Sequence, residues 1–130
     1  MPSRITAGSV IFAKDITLLA AFYEKLLALP IVHAEQGHIV LESEILQLVI
    51  HGIPVKIARN ITISSPPELR EDGAIKPFFP VADLAIAREA AKQLGGGLYA
   101  AGKEWEARGF RACDGFDPEG NIFQLRQSLT

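Results

Sequence analysis

Apolar and polar positions along this chain switch between two periods, and the switch happens twice. Ile5 to Ala13 alternates, with Ser9, Ile11 and Ala13 on one face and Gly8, Val10 and Phe12 on the other, which predicts a strand. Asp15 is placed to accept from the free amides of a following helix turn. From Ile16 to Leu29 the period becomes helical, with Leu18, Leu19, Phe22, Leu26 and Leu29 as its stripe, and Pro30 ends it. Strands are then expected at Ile31 to Ala34, His38 to Glu42 and Ile45 to His51, with turns at Gln36-Gly37 and Ser43-Glu44. Lys56 to Ser64 reads as a further strand on its isoleucines, broken by Ser65-Pro66-Pro67. Glu68 to Gly73 reads as a polar, mobile connector.

The pattern then restarts. Ile75 to Val81 is a strand, and Asp83 stands where Asp15 stood. Ile86, Ala87, Ala90, Ala91 and Leu94 form a second helical stripe, ended by Gly95-Gly96-Gly97. A short strand at Leu98 to Ala100, a loop at Ala101 to Arg108 holding Trp105, and a strand at Gly109 to Asp114 come next. Phe116-Asp117-Pro118-Glu119-Gly120-Asn121 is a tight turn, with Pro118 presetting its φ and Gly120 and Asn121 tolerating the left-handed backbone. It drops into a last strand in which Phe123 and Leu125 make an apolar face and Ile122, Gln124 and Arg126 a mixed one. The chain is thus strand–helix–three strands, twice. The expected class is α+β: one domain over residues 1–130, with one module at about 5–52, a connector at about 53–74 and a second module at about 75–128. Such a repeat covers one face of each half-sheet with a helix and leaves the other free to curl around a cavity.

Composition narrows the function classes. A net charge of −2 gives no reason to expect nucleic acid or an anionic membrane as partner. No apolar run approaches the roughly 20 residues of a membrane-spanning helix, and Met1 to Thr6 lacks the apolar core of a secretory signal. Cys113 is the only cysteine, so no intrachain disulfide forms; it is expected to be buried and structural, and its isolation fits a reducing cytoplasm. There is no nucleophile elbow, phosphate-binding glycine loop or zinc-type Cys/His spacing.

The entry Ala21-Phe22-Tyr23-Glu24-Lys25-Leu26-Leu27 after a capping Asp, and the exit Asp117-Pro118-Glu119-Gly120-Asn121-Ile122-Phe123-Gln124-Leu125, resemble the vicinal oxygen chelate superfamily. Its members include glyoxalase I, extradiol dioxygenases, and fosfomycin and bleomycin resistance proteins. The resemblance covers nearly the whole chain. It implies paired βαβββ modules whose mixed sheets curve into a cup, and commonly a homodimer. Where family members often carry Gly, this chain has Ala28, so its first helix is expected to end differently.

The resemblance also implies four metal-ligand positions on the strands. Carried over, they fall on Gly8 and Lys76, each seven residues before a capping Asp, and on Gln47 and Gln124. Gly8 has no side-chain donor, Lys76 is an ammonium that repels a dication, and the glutamines are neutral amides. No metal is therefore expected at these positions, and no cofactor. Instead Gln47, Lys76 and Gln124 are candidate polar contacts to a small-molecule ligand, anionic or aromatic. Phe12 and Phe78, in matching inward places, and Trp105 are candidate walls. Lys76 has an equally good reading as a solvent-facing side chain, and Phe12 and Phe78 as plain core. Arg126 is a possible second cation near the rim. The expected function is metal-independent ligand sequestration or sensing. The contrasting reading is a lyase, isomerase or dioxygenase, with His51 as acid–base or with a relocated metal on His33, His38, His51 or Glu42. A third is a dimer module with a filled cup.

Overall fold

The computed structural model describes residues 6–130. Strand β1 (Gly8–Ala13) leads to helix α1 (Ile16–Leu27), then β2 (Ile31–Glu35), β3 (His38–Glu42) and β4 (Gln47–Gly52). After a short helix α2 (Val55–Ala58) come β5 (Phe78–Pro80), α3 (Leu84–Gln93), β6 (Gly97–Leu98), β7 (Trp105–Ala107), β8 (Phe110–Phe116) and β9 (Ile122–Ser128). The first sheet runs β1-β4-β3-β2 and the second β5-β9-β8-β6, with β7 added on β8. In each, the opening strand lies parallel to the last (β1 on β4, β5 on β9) and the other pairings are antiparallel. The first sheet is the strand–helix–three-strand unit read from the sequence; the second has a fourth strand after its helix, because β7 forms where a loop was expected.

One local device starts both helices. Asp15 accepts from Leu18 N and Asp83 from Ile86 N, each at 3.0 Å. The apolar stripes are narrower than their period suggests. Leu19, Phe22, Tyr23 and Leu26 are buried on α1, and Leu84, Ala87 and Ala91 on α3, whereas Leu18 and Ile86 are exposed. Both sit three residues after their cap, on the side of the helix turned away from the buried stripe. Helix α1 ends on Ala28 in the left-handed conformation (φ 51°, ψ 45°), the cap a glycine would adopt without strain. Its ending therefore has the shape the glycine position demands, reached by a residue that resists it.

Several sequence expectations need correction. The expected start of the first strand at Ile5 lies outside the described residues, and the strand begins at Gly8. Lys56 to Ser64 is not a strand: it holds the end of α2 and irregular chain, because no sheet edge pairs with its isoleucines. Ile75 to Val81 contracts to Phe78–Pro80, limited by the register with β9. The short strand after the glycines is Gly97–Leu98, and Trp105 lies on strand β7, since Ala107 to Phe110 is a hairpin turn. The Glu68 to Gly73 connector is tied down, with Arg70 N donating to Gly120 O at 2.9 Å. Asn121 does not take positive φ, which falls to Gly120 alone (φ 85°) in the closing turn.

The two modules share a core. Phe22 and Tyr23 of α1 meet Phe123 of β9 at ring separations of 6.0 Å, and Tyr23 meets Phe79 of β5 at 6.0 Å. Gly96 allows the approach: a Cβ there would lie 2.3 Å from Phe116 O and 2.6 Å from the Phe22 ring. The closing turn locks the modules with charge. Buried Asp117 accepts from Tyr23 OH (2.7 Å), Glu119 N (2.9 Å), Asn121 N (3.1 Å) and Asn121 Nδ2 (2.8 Å). Burial raises its carboxyl pKa, against the pull of those donors. Glu119 reaches back to accept from Lys14 N (2.9 Å) and Asp15 N (2.8 Å) at the start of α1. The motif that marked the sequence is thus the joint between the halves. Cys113 is buried and its thiol pKa is pushed up by burial, as a structural cysteine's is.

Candidate functional site

Strand alternation gives each sheet one face against its helix and one open face. On the first sheet, register pairs Gly8 with Gln47, Val10 with Val49 and Phe12 with His51 across β1 and β4. Ile11, Ala13, Leu48 and Ile50 turn to the helix side, and Val10 and Phe12 stay 56% and 57% exposed. On the second sheet, Phe78 pairs with Gln124, and Gln124 with Asp114. Phe79, Phe123, Leu125 and Cys113 enter the core, leaving Phe78 57% exposed.

The open face of the second sheet carries a connected polar network. Lys76 Nζ lies 2.6 Å from Asp114 Oδ2. Gln124 Nε2 donates to Asp114 Oδ1 at 3.3 Å, and Gln124 Oε1 accepts from Arg126 Nε at 2.7 Å. The Arg126 guanidinium stacks 3.6 Å over the Phe78 ring and 4.3 Å from the Phe110 centroid. Trp105 packs edge-on against Phe110 at 5.8 Å. Four sequence candidates, Lys76, Phe78, Gln124 and Trp105, therefore meet in one patch. Asp114 and Phe110 complete it. Neither was singled out, although both share the alternating parity of β8 that faces Gln124 and Arg126.

Gln47 and Phe12 belong to the other sheet. Gln47 Nε2 donates to Glu42 Oε1, and the Phe12 ring lies 5.4 Å from His51. His51 also stacks parallel to His38 at 6.2 Å, and its Nδ1 lies 2.9 Å from Gly52 O. The two glutamines do not bond each other. Nor are they register equivalents: Gln47 pairs with Gly8, seven before its cap, and Gln124 with Phe78, five before its own. Counted the same way, Phe12 matches Pro80 and Phe78 matches Val10. The phenylalanines share open faces without occupying repeat-related places.

A cavity of about 490 Å³ lies at the seam between the modules, lined by Val10, Phe12, Ile75, Pro77 and Ile122 among others. A larger one, about 700 Å³, lies between the start of α1, Thr62 to Ser65 and Pro118-Glu119. In the larger cavity the Glu119 carboxylate is already held by the Lys14 and Asp15 amides.

The four positions that the family resemblance assigns to a metal do not fit one. Lys76 is paired with Asp114, and both glutamine side chains are engaged with charged neighbours. Gly8 has no donor and no room for one, since a Cβ would lie 2.1 Å from Gln47 O. Among the described residues no helix is long and apolar enough to cross a membrane.

No protein-family profile and no curated protein sequence matches this chain. Solved structures do. A glyoxalase/bleomycin resistance protein/dioxygenase family enzyme from Burkholderia phytofirmans superposes with a TM-score of 0.61 at 18% identity, over 94% of this chain and 97% of that one. The bleomycin resistance determinant encoded on transposon Tn5 gives 0.58 at 21%, over 98% and 100%. The fosfomycin resistance protein FosX from Mesorhizobium loti gives 0.63 at 15%, over 98% and 94%. With its two strand–helix–strand modules and parallel opening strands, the chain has the fold of the glyoxalase/bleomycin resistance/dioxygenase proteins.

Proposed function

We propose that this protein binds a small organic molecule with an aromatic or aliphatic body and an anionic group, without a metal at Gly8, Gln47, Lys76 and Gln124, and so sequesters or senses it. The observation that carries this reading is the Lys76–Asp114–Gln124–Arg126 network on an open sheet face. Two cations face one carboxylate there, and Arg126 is already oriented by Phe78 and Gln124, so little side-chain entropy is lost when it meets an anion. Phe78 and Trp105 beside it, and Phe12 and Gln47 on the other sheet, supply walls and a further amide. The similar structures include resistance proteins for bleomycin and fosfomycin, which is consistent with ligand capture on this fold.

The same faces favour a homodimer. Val10, Phe12 and Phe78 are each more than half exposed, an apolar area that association would cover. The faces also differ in charge: Glu35 and Glu42 lie on the first sheet, and Lys76, Arg108 and Arg126 against Asp114 on the second. A second copy can set one against the other.

Trp105 is the only tryptophan, so it reports on the patch directly. The probe is 8-anilinonaphthalene-1-sulfonate, an aromatic anion, titrated while Trp105 emission is followed. Saturable quenching is expected, weakened about tenfold by Arg126→Ala, a loss of about 1.4 kcal/mol. Quenching that is non-saturable, or equal in Arg126→Ala, would refute the assignment. Light scattering of the same samples tests the dimer, and a monomer at 100 µM would reject it.

A further inference from the structure

The hairpin at the free edge of the first sheet brings together donors that the binding patch does not use. The two-residue turn Gln36-Gly37 fixes the pairs Glu35 with His38 and His33 with Val40. Strand alternation then puts His33, Glu35 and His38 on one face, the open one. The turn is anchored, since Gly52 N donates to Gly37 O at 2.8 Å. Both imidazoles converge on a single carboxylate oxygen: Glu35 Oε1 lies 3.4 Å from His33 Nε2 and 3.0 Å from His38 Nε2. One donor atom from each of the three residues lies within 4.8 Å of the others.

We infer that His33, Glu35 and His38 form a binding site for a borderline divalent transition metal such as Zn²⁺. Bonds of about 2.0–2.1 Å in a tetrahedron place neighbouring donors about 3.4 Å apart. The His33–Glu35 separation equals that edge and the His38–Glu35 separation, 3.0 Å, is slightly shorter, and the side chains are accessible enough to adjust both and close the third. Two nitrogens and one carboxylate oxygen favour Zn²⁺, Ni²⁺ or Cu²⁺ over Mg²⁺ or Ca²⁺, which prefer all-oxygen shells. Three protein ligands leave a coordination position for water or an external donor. This site is on β2 and β3, apart from Gly8, Gln47, Lys76 and Gln124 rejected above, and it does not depend on the ligand-binding reading. His51 is the natural control: it stacks on His38, but its Nδ1 is engaged with Gly52 O, and it is not one of the three.

The test is calorimetric titration of the metal-free full-length chain with ZnCl₂. One Zn²⁺ per chain is expected, with Kd of about 10 µM or tighter. His33→Ala, His38→Ala and Glu35→Gln should each weaken binding at least tenfold, while His51→Ala stays within threefold. Circular dichroism confirms that the variants remain folded, as such exposed positions allow. Absence of binding at 100 µM, binding that survives His38→Ala, or competition by 5 mM Mg²⁺ would each overturn the assignment. Because the dye titration reads the second sheet and the Zn²⁺ titration the first, either result can fail without the other.

Discussion

Replacing Tyr23 with Phe removes one oxygen and tests the joint between the modules. The ring stays, so contacts with Phe22, Phe79 and Phe123 persist, and only the 2.7 Å bond to Asp117 is lost. A hydrogen bond to a charged group is worth about 1.5–3 kcal/mol. Asp117 Oδ2 keeps Asn121 Nδ2 at 2.8 Å, so the acceptor is not orphaned and the lower part of that range applies. The expected loss is about 1.5–2 kcal/mol at pH 7, or about 5–7 °C in Tm for a chain of this size. The pH dependence is a second signature. Burial first, then the Asp117 charge, raises the Tyr23 pKa well above its usual 10.0. The folded state therefore holds a proton that the unfolded state releases. The stability Tyr23 contributes is fully present below about pH 10 and is lost as pH rises toward the folded pKa, at about 1.4 kcal/mol per unit. Tyr99, pushed up to about 12 by burial and its bond to Glu71, gives a slope of the same sign. Urea unfolding followed at Trp105 between pH 7 and 11 measures both effects. Cys113, its thiol also pushed up by burial, adds a slope of the same sign, so Tyr23→Phe should be weaker at pH 7 and keep about two thirds of the alkaline slope. A variant within 0.5 kcal/mol of the parent at pH 7, with an unchanged slope, would refute a charged, buried Tyr23–Asp117 joint.

Two further substitutions probe the backbone. Ala28→Gly relieves a left-handed alanine worth about 1–2 kcal/mol while adding about 0.4–1 kcal/mol of unfolded-chain entropy. Thermal melting should show a net gain of about 0.5–1 kcal/mol, and a loss would mean that Ala28 is not strained. Gly8→Ala places a Cβ 2.1 Å from Gln47 O, so β1 must shift on β4. A cost of about 1–3 kcal/mol is expected by urea titration, and a neutral result would show that this corner has space for a ligating side chain after all.

The candidate patch was only half legible in the sequence. Lys76, Phe78, Trp105 and Gln124 were recognisable as residues able to bind, and parity put Gln124 and Arg126 on one strand face. Asp114 was not recognised, because nothing local shows that its carboxylate lies opposite Gln124 across β8 and β9. Phe12 and Gln47 carry the same types of chemistry, yet their sheet gives them His51 and Glu42 as neighbours instead.

What the sequence determined by itself is the repeat: two strand-to-helix switches, each begun by an aspartate cap, and the Pro-Glu-Gly turn before the last strand. These are short-range effects, set by alternation, by amides within three residues of the cap and by backbone preferences. The tertiary structure alone decided the joints. Tyr23 meets Asp117 across 94 residues, and Glu119 meets Lys14 across 105, because both bonds depend on how α1 lies against the second sheet. It also decided which isoleucines find a strand, and it set the separations at which the hairpin histidines meet one carboxylate oxygen. Pairing across a sheet or between modules depends on register and packing, and neither is encoded in any one stretch of chain.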